Sequence, residues 1–275
     1  AFRLMPSLNK VLQSIQNLRY NLPVIETLYA EKYLLEGKTE RDLATDSDAL
    51  SPLRFEQGLQ LKHVSYAYPG SPDDVLVDVN LDIPRGTSAG FIGTSGGGKS
   101  TLMNIILGLL TPTSGQVLVD DTDIQTKLRA WQNTIGYVPQ NVFLVDDSLR
   151  RNIAFGLPDE QIDELALKRA INAAQLTQFV ASLPDGLDTV VGERGVRLSG
   201  GQCQRVGIAR ALYHDPPVLM LDEASSALDT ATEEAVMSAV NALRNSKTVL
   251  IIAHRLSTVA NCDALYEVAE DRKST

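Results

Sequence analysis

Gly93-Thr94-Ser95-Gly96-Gly97-Gly98-Lys99-Ser100 matches the pattern G-x-x-x-x-G-K-S/T. Ala89-Gly90-Phe91-Ile92 before it reads as a buried strand, and Thr101 to Leu107 after it as a helical run. In a strand–loop–helix setting, glycines let successive backbone amides turn inward at a helix N-terminus, where they cradle phosphate oxygens. Lys99 then reaches the β- and γ-phosphates and the Ser100 hydroxyl ligates Mg²⁺. Gly93, Thr94, Ser95, Gly96, Gly97, Gly98 and Thr101 line the nucleotide in this reading. A plain glycine turn is the simpler alternative, but it does not account for lysine and serine at these two places. The expected ligand is ATP or a close relative with magnesium.

Such a loop needs a carboxylate on a neighbouring strand to hold the metal. Val218-Leu219-Met220-Leu221-Asp222 is an apolar run that ends in an acid, and Glu223 follows at once. Adjacent acids at a strand end point to different sides. Asp222 is therefore assigned to the metal and Glu223 to polarising an attacking water.

Outward from these motifs the chain reads as two regions. From about Phe55, β-branched runs (78–83, 88–92, 116–119, 135–138, 218–221 and 249–253) alternate with helical patterns (99–109, 165–174, 200–213 and 233–243). Continuous apolar strands followed by helices predict an α/β fold with a parallel sheet covered on both faces. In the first fifty residues, Leu8, Val11, Leu12, Ile15 and Leu18 recur at helical spacing. Pro23 is expected to end that helix and open a second one, closed by Gly37. The stretch 38–52, rich in Thr, Asp and Ser, reads as a linker.

The net charge of -9 over 275 residues argues against a nucleic-acid partner, because polyanion binders usually carry a basic surface. Two cysteines, Cys203 and Cys262, are too few for a disulfide framework and lack metal-ligand spacing. No apolar stretch is long enough to cross a bilayer. Absence of an initiator methionine or a leader pattern in Ala1 to Pro6 leads us to expect a piece of a longer polypeptide.

Leu198-Ser199-Gly200-Gly201-Gln202 has the form of a helix start, with Ser199 as N-cap and paired glycines that expose amides. Placed between the phosphate loop and Leu221-Asp222-Glu223, it resembles the signature of the ABC ATPases. The resemblance runs from about Leu59 to Asp263 and implies further roles. Tyr68 stacks on adenine; Gln140, in Tyr137-Val138-Pro139-Gln140, touches Mg²⁺ and the water. Glu193, in Gly192-Glu193-Arg194-Gly195, matches an acidic loop found before the signature in exporters. Asp229, in Ser225-Ser226-Ala227-Leu228-Asp229, belongs to a loop that bridges two active sites, and His254 contacts the γ-phosphate. The family fold adds an antiparallel β subdomain and a helical signature subdomain, about 141–215, to the phosphate-loop core. Cys203 departs from the family's usual Arg or Lys just past the signature, at a position expected on the surface.

The resemblance also implies partners. In the family, the signature of one subunit (here Ser199, Gly200, Gly201 and Gln202) caps the γ-phosphate on the other subunit's loop. A second copy of this chain in a head-to-tail dimer is therefore expected, with both sites hydrolytic. Exporter-type members fuse a transmembrane domain ahead of the ATPase, so 1–50 is expected to be the cytoplasmic end of its last helix and a linker. That puts the chain, 55–275 being the ATPase domain, on the cytoplasmic face of a bacterial inner membrane. The stretch Leu4-Met5-Pro6-Ser7-Leu8-Asn9 is similar to exporters of polysaccharide and lipid-linked sugars. The end near Val268 falls short of the last strands and helix usual in the family, so a truncation is expected there. Soluble ABC ATPases of repair or translation would normally add coiled-coil or zinc insertions or a second cassette. A non-hydrolytic module should have lost Glu223 or His254, and kinases and GTPases lack the signature.

Overall fold

The computed structural model describes residues 4–44, 53–71, 73–94, 96–192, 195–222, 230–244, 246–253 and 255–269. The chain divides into two units, Ala1–Ser51 and Pro52–Thr275. The described part of the first is one helix, α1 (Leu4–Ala44), with Pro23 inside it. This corrects the two-helix expectation: neither Pro23 nor Gly37 ends the helix, and 38–44 are helical rather than linker. A proline removes one intrahelical hydrogen bond, at about 3 kcal/mol, but a helix this long retains its bonds on either side. Thr27 Oγ1 donates to the Pro23 carbonyl at 2.9 Å, just past that gap. Val11, Leu12, Ile15 and Leu18 are exposed. No described helix is long and apolar enough to cross a membrane.

The second unit runs β1 (Gly58–Tyr66), β2 (Leu76–Pro84), β3 (Ser88–Ile92), α2 (Lys99–Ile106), β4 (Ser114–Val119), β5 (Thr122–Asp123), α3 (Leu128–Gln132) and β6 (Ile135–Val138). It continues with α4 (Leu149–Ile153), α5 (Glu164–Ala173), α6 (Thr177–Ser182), α7 (Gly200–Leu212), β7 (Val218–Asp222), α8 (Thr230–Ala242), β8 (Thr248–Ile252), α9 (Leu256–Val259) and β9 (Ala264–Glu267). Two sheets form: an antiparallel one ordered β2-β1-β4-β5, and a five-stranded one ordered β6-β7-β8-β3-β9. Every pairing in the second is parallel.

Alternate residues of the central strands enter different cores, as the two-residue period of a strand requires. Leu219, Leu221, Val249 and Ile251 pack with residues of α4, α5, α7 and α8. Val218, Met220, Leu250 and Ile252 pack with α2, Trp131 and the antiparallel sheet. The expected parallel sheet covered on both faces is therefore present, with one refinement: one covering is shared between α2 and a second sheet. β8 is buried along its whole length, which is why it reads as an unbroken apolar run. Gly90, in the middle of β3, lets α9 close on the sheet, because a Cβ there would lie 2.7 Å from Val259 Cβ. Helix α7 packs against α4, α5 and β6, and its buried apolar residues join theirs in one core cluster.

Trp131, the sole tryptophan of the chain, is fully buried, and its Nε1 donates to the Ile106 carbonyl at 2.7 Å, in the last turn of α2. Replacing it by phenylalanine leaves a buried acceptor unpaired, which costs about 1–3 kcal/mol. We expect Trp131→Phe to lose stability in that range in guanidinium unfolding followed by far-UV circular dichroism. An unchanged midpoint would mean that this bond does not hold α2 in place.

Candidate functional site

Parallel strands deliver their C-terminal ends to one edge of the sheet, and five of them do so here. The row Val138–Leu221–Ile251–Gly90–Leu265 is in register across all five. Gln140 therefore follows β6, Asp222 ends β7, and the glycine loop follows β3, all at the same edge. Glu223 and His254 follow β7 and β8 in the chain but lie outside the described residues, as do Ser95, Glu193 and Asp229. One expectation needs correction. The strand of Asp222 does not neighbour β3, because β8 lies between them. Asp222, Ile252 and Phe91 pair in one row, so two strand spacings, about 10 Å, separate the backbone of Asp222 from that of β3.

The loop itself is held by close contacts. Gly93 has φ 149°, and a Cβ on it would stand 2.1 Å from the Val268 carbonyl oxygen. Gly97 is nearly as confined, at 2.9 Å from the same oxygen, whereas Gly96, φ 85°, has open space beside it. Gly98 caps α2 in the left-handed region, φ 93°. Lys99 is buried and folds back over its own loop: Nζ donates to the Gly93 and Thr94 carbonyls, both at 2.9 Å. Ser100 is exposed, at the first turn of α2. Thr101, buried, meets the Tyr68 hydroxyl at 3.1 Å, and the Tyr68 ring is edge-on to Tyr66 at 5.1 Å. Tyr68 stays 43% exposed, which leaves a ring face available for stacking. Tyr68 and Thr101 are thus brought to the loop, as are Gly93, Thr94 and Gly96 to Ser100.

Asp222 accepts from the Tyr137 hydroxyl at 3.4 Å. Burial, with the Asp222 carboxylate beside it, pushes the Tyr137 phenol up to about 12. The phenol therefore stays protonated, able to orient the carboxylate, throughout the neutral range. A hydroxyl, an amide oxygen and one carboxylate, from Ser100, Gln140 and Asp222, would give an oxygen-only donor set. It suits Mg²⁺, which typically takes one or two carboxylates together with substrate phosphates. The confined glycines and the buried lysine likewise fit a phosphate chain.

Ser199 and Gly200 at the start of α7 are exposed. Ser199 and Gln202 form a reciprocal capping box: the Gln202 amide donates to Ser199 Oγ at 3.3 Å, and Ser199 N–H donates to Gln202 Oε1 at 2.8 Å. Gly201 is buried. Cys203 is half-buried rather than on the surface, because the Gly195 turn lies over it. Burial raises its thiol above the ordinary value, and the same holds for Cys262.

Sequence reasoning missed three contacts here. Tyr137 and Asp222 are far apart in the chain and share no pattern. Gln204 Nε2 donates to the Gln140 carbonyl at 3.0 Å; its three-residue spacing from Gly207 and Arg210 on a predicted helix is the signal that could have found it. Glu233, nearly buried, binds Arg255 Nη1 at 2.5 Å and Thr258 Oγ1 at 2.8 Å.

A family model described as ABC transporter matches residues 76–226, which include the glycine loop, the signature and Asp222. The ATP-dependent lipid A-core flippase of Sodalis glossinidius (strain morsitans) is 38% identical over 98% of this chain and 46% of its own length. The putative multidrug export ATP-binding/permease protein YgaD of Bacillus subtilis (strain 168) is 41% identical over 79% of this chain and 37% of its own. A solved bacterial Atm1-family ABC exporter with ATP bound superposes with a TM-score of 0.71 at 35% identity, over 79% of this chain and 38% of that one. The chain thus spans less than half the length of these relatives.

Two outcomes follow for the site. Gly93→Ala, which forces a Cβ into a backbone carbonyl, should weaken binding of a fluorescent ATP analogue far more than Gly96→Ala, which strains the backbone at φ 85° but meets nothing within 4 Å. Equal losses in the two variants would show that the packing against Val268 is irrelevant to the loop. Because burial raises both thiols, less thiolate is present at a given pH. Iodoacetamide should therefore label native Cys203 and Cys262 more slowly than free cysteine at pH 8, with the gap closing at more alkaline pH or in denaturant. Labelling as fast as free cysteine at pH 8 would contradict the burial.

Proposed function

The chain belongs to the ABC transporter family, and from that membership we propose that it is the ATPase unit of an exporter, binding and hydrolysing ATP to drive export or lipid flipping by a transmembrane domain. The observation that supports this reading is that a phosphate loop with a buried lysine and a capped, exposed start of α7 occur in one chain. Relatives named as a lipid A-core flippase and as a multidrug export protein support export or lipid flipping.

In this reading Gly93 to Thr101 bind the phosphates, with Lys99 on the β- and γ-phosphates, and Tyr68 stacks on the adenine. Ser100, Asp222 and Gln140 would hold Mg²⁺, whose charge offsets that of the phosphate oxygens. Glu223 takes the proton from the attacking water, and His254 and Gln140 orient the γ-phosphate and the water. Ser199, Gly200, Gly201 and Gln202 complete the site of a second copy, to which Asp229 also contributes. ATP binding then favours the closed dimer and hydrolysis the open one, a two-state switch driven by differential affinity. We assign 4–44 to the cytoplasmic end of a membrane domain's last helix, and the chain to the cytoplasmic face of the bacterial inner membrane.

The decisive variant is Glu223→Gln. It should form an ATP-dependent dimer by size exclusion, while hydrolysis falls about 10²–10⁴-fold, the usual contribution of a general base. Hydrolysis at the wild-type rate in this variant would remove Glu223 from its role. Failure of ATP to shift the elution volume would remove the composite site.

A further inference from the structure

Gln204, Gly207 and Arg210 recur every three residues along α7, so they share one face of the signature helix. All three engage a single short segment, the residues from Gln140 to Phe143. Gln204 Nε2 donates to the Gln140 carbonyl at 3.0 Å. A Cβ at Gly207 would stand 2.5 Å from Val142 Cγ2, so the absence of a side chain there sets how closely the two pieces approach. Arg210 Nη1 donates to the Phe143 carbonyl at 2.9 Å, while its Nε donates to the Asn152 carbonyl at 2.8 Å and its guanidinium lies 4.8 Å from the Phe155 ring centre.

The Gln204 amide is also only half satisfied. The residue is buried, and among the described residues its Oε1 has no hydrogen-bond partner. Chemistry fixes which way the amide faces, since the Gln140 carbonyl can only accept and Nε2 is the only donor the side chain has. A buried, half-satisfied amide is unfavourable where an apolar side chain of similar length would pack freely. Among the described residues, the contact that compensates is the bond to Gln140.

We propose that Gln204 is a positioning residue for Gln140, its amide fixing the backbone from which the Gln140 side chain leaves. The capped end of α7 at Ser199 lies five residues, about 7.5 Å along the helix axis, from the point where Gln204 holds this segment. The Gln140 side chain, assigned to the metal and water of this chain's own site, thereby leaves from a backbone that α7 holds in place. This inference rests on the assignment of Gln140 to that site.

The test is a double-mutant cycle on the full chain, with Mg²⁺-ATP as the substrate. Gln204→Met keeps the length of the side chain and removes both the donor and the unpaired oxygen. It should lower kcat about tenfold, the scale of a small misplacement. KM for ATP should change less than twofold, and half-maximal activity should need more Mg²⁺. Gly207→Ala pushes on Val142 without touching the hydrogen bond and should produce the same split, which provides a second route if Gln204→Met does not fold. In a Gln140→Ala background, which keeps the backbone carbonyl but lacks the positioned side chain, neither substitution should reduce kcat further. Reductions by the same factor in both backgrounds would mean a merely structural role and overturn the proposal. So would wild-type kcat in both single variants. Wild-type hydrolysis by Gln140→Ala alone would overturn the assignment of Gln140 itself, and the proposal with it.

Discussion

Everything at the candidate site depends on five parallel strands ending together. A parallel sheet has no tight hairpins, so each strand must leave by a crossover and return, and both faces must be covered. The coverings are unlike: helices α4, α5, α7 and α8 on one side, α2 and an antiparallel sheet on the other. What the two share is the buried pair β7 and β8, whose alternate side chains enter each core. The register row from Val138 to Leu265 then fixes where Gln140, Asp222 and the glycine loop emerge, and no side-chain interaction is needed to bring them to one edge.

Local chemistry sharpens that placement. Lys99 satisfies two carbonyls of its own loop, and the loop's two confined glycines rest on the Val268 carbonyl, one residue past β9. Backbone from a third strand thus shapes the phosphate loop, an arrangement that only residues without Cβ permit. Asp222 is steered from β6 by the Tyr137 hydroxyl. These constraints come from strands distant in the chain, and the common edge makes them neighbours.

The sequence was legible wherever burial is uniform or a motif is local. β3 with its loop and α2, the apolar run into Asp222, β8 and the capped start of α7 all read correctly, because continuous apolar strands and a Ser-x-x-Gln cap are local signals. Strand order was not legible: no local pattern says that β8 inserts between β7 and β3, so the Asp222 strand was expected one place too near. Nor was α1. A proline and a glycine outweighed helical periodicity on paper, whereas the helix continues through both. β9 is four residues of alternating exposure, too short to separate from its surroundings. Gln204 lay between these cases. Its spacing from Gly207 and Arg210 was visible, but not what that face would meet.

The flanks of the assigned acid and histidine show the same economy of construction. The stretch that holds Glu223 and Asp229 runs from the end of β7 to α8; His254 lies between β8 and α9. On the sheet side, both flanks are fixed by the pairing of Asp222 with Ile252 and by the Ala253 N–H donating to the Phe91 carbonyl at 3.1 Å. On the far side, the nearly buried Glu233 carboxylate, four residues past Asp229, grips Arg255, the residue next to His254, and Thr258. A buried carboxylate is tolerated only when paired and hydrogen-bonded, and here both of its oxygens are engaged. Among the described residues, the flanks of the two stretches are therefore tied on both sides: by the sheet before them and by the Glu233 carboxylate behind them.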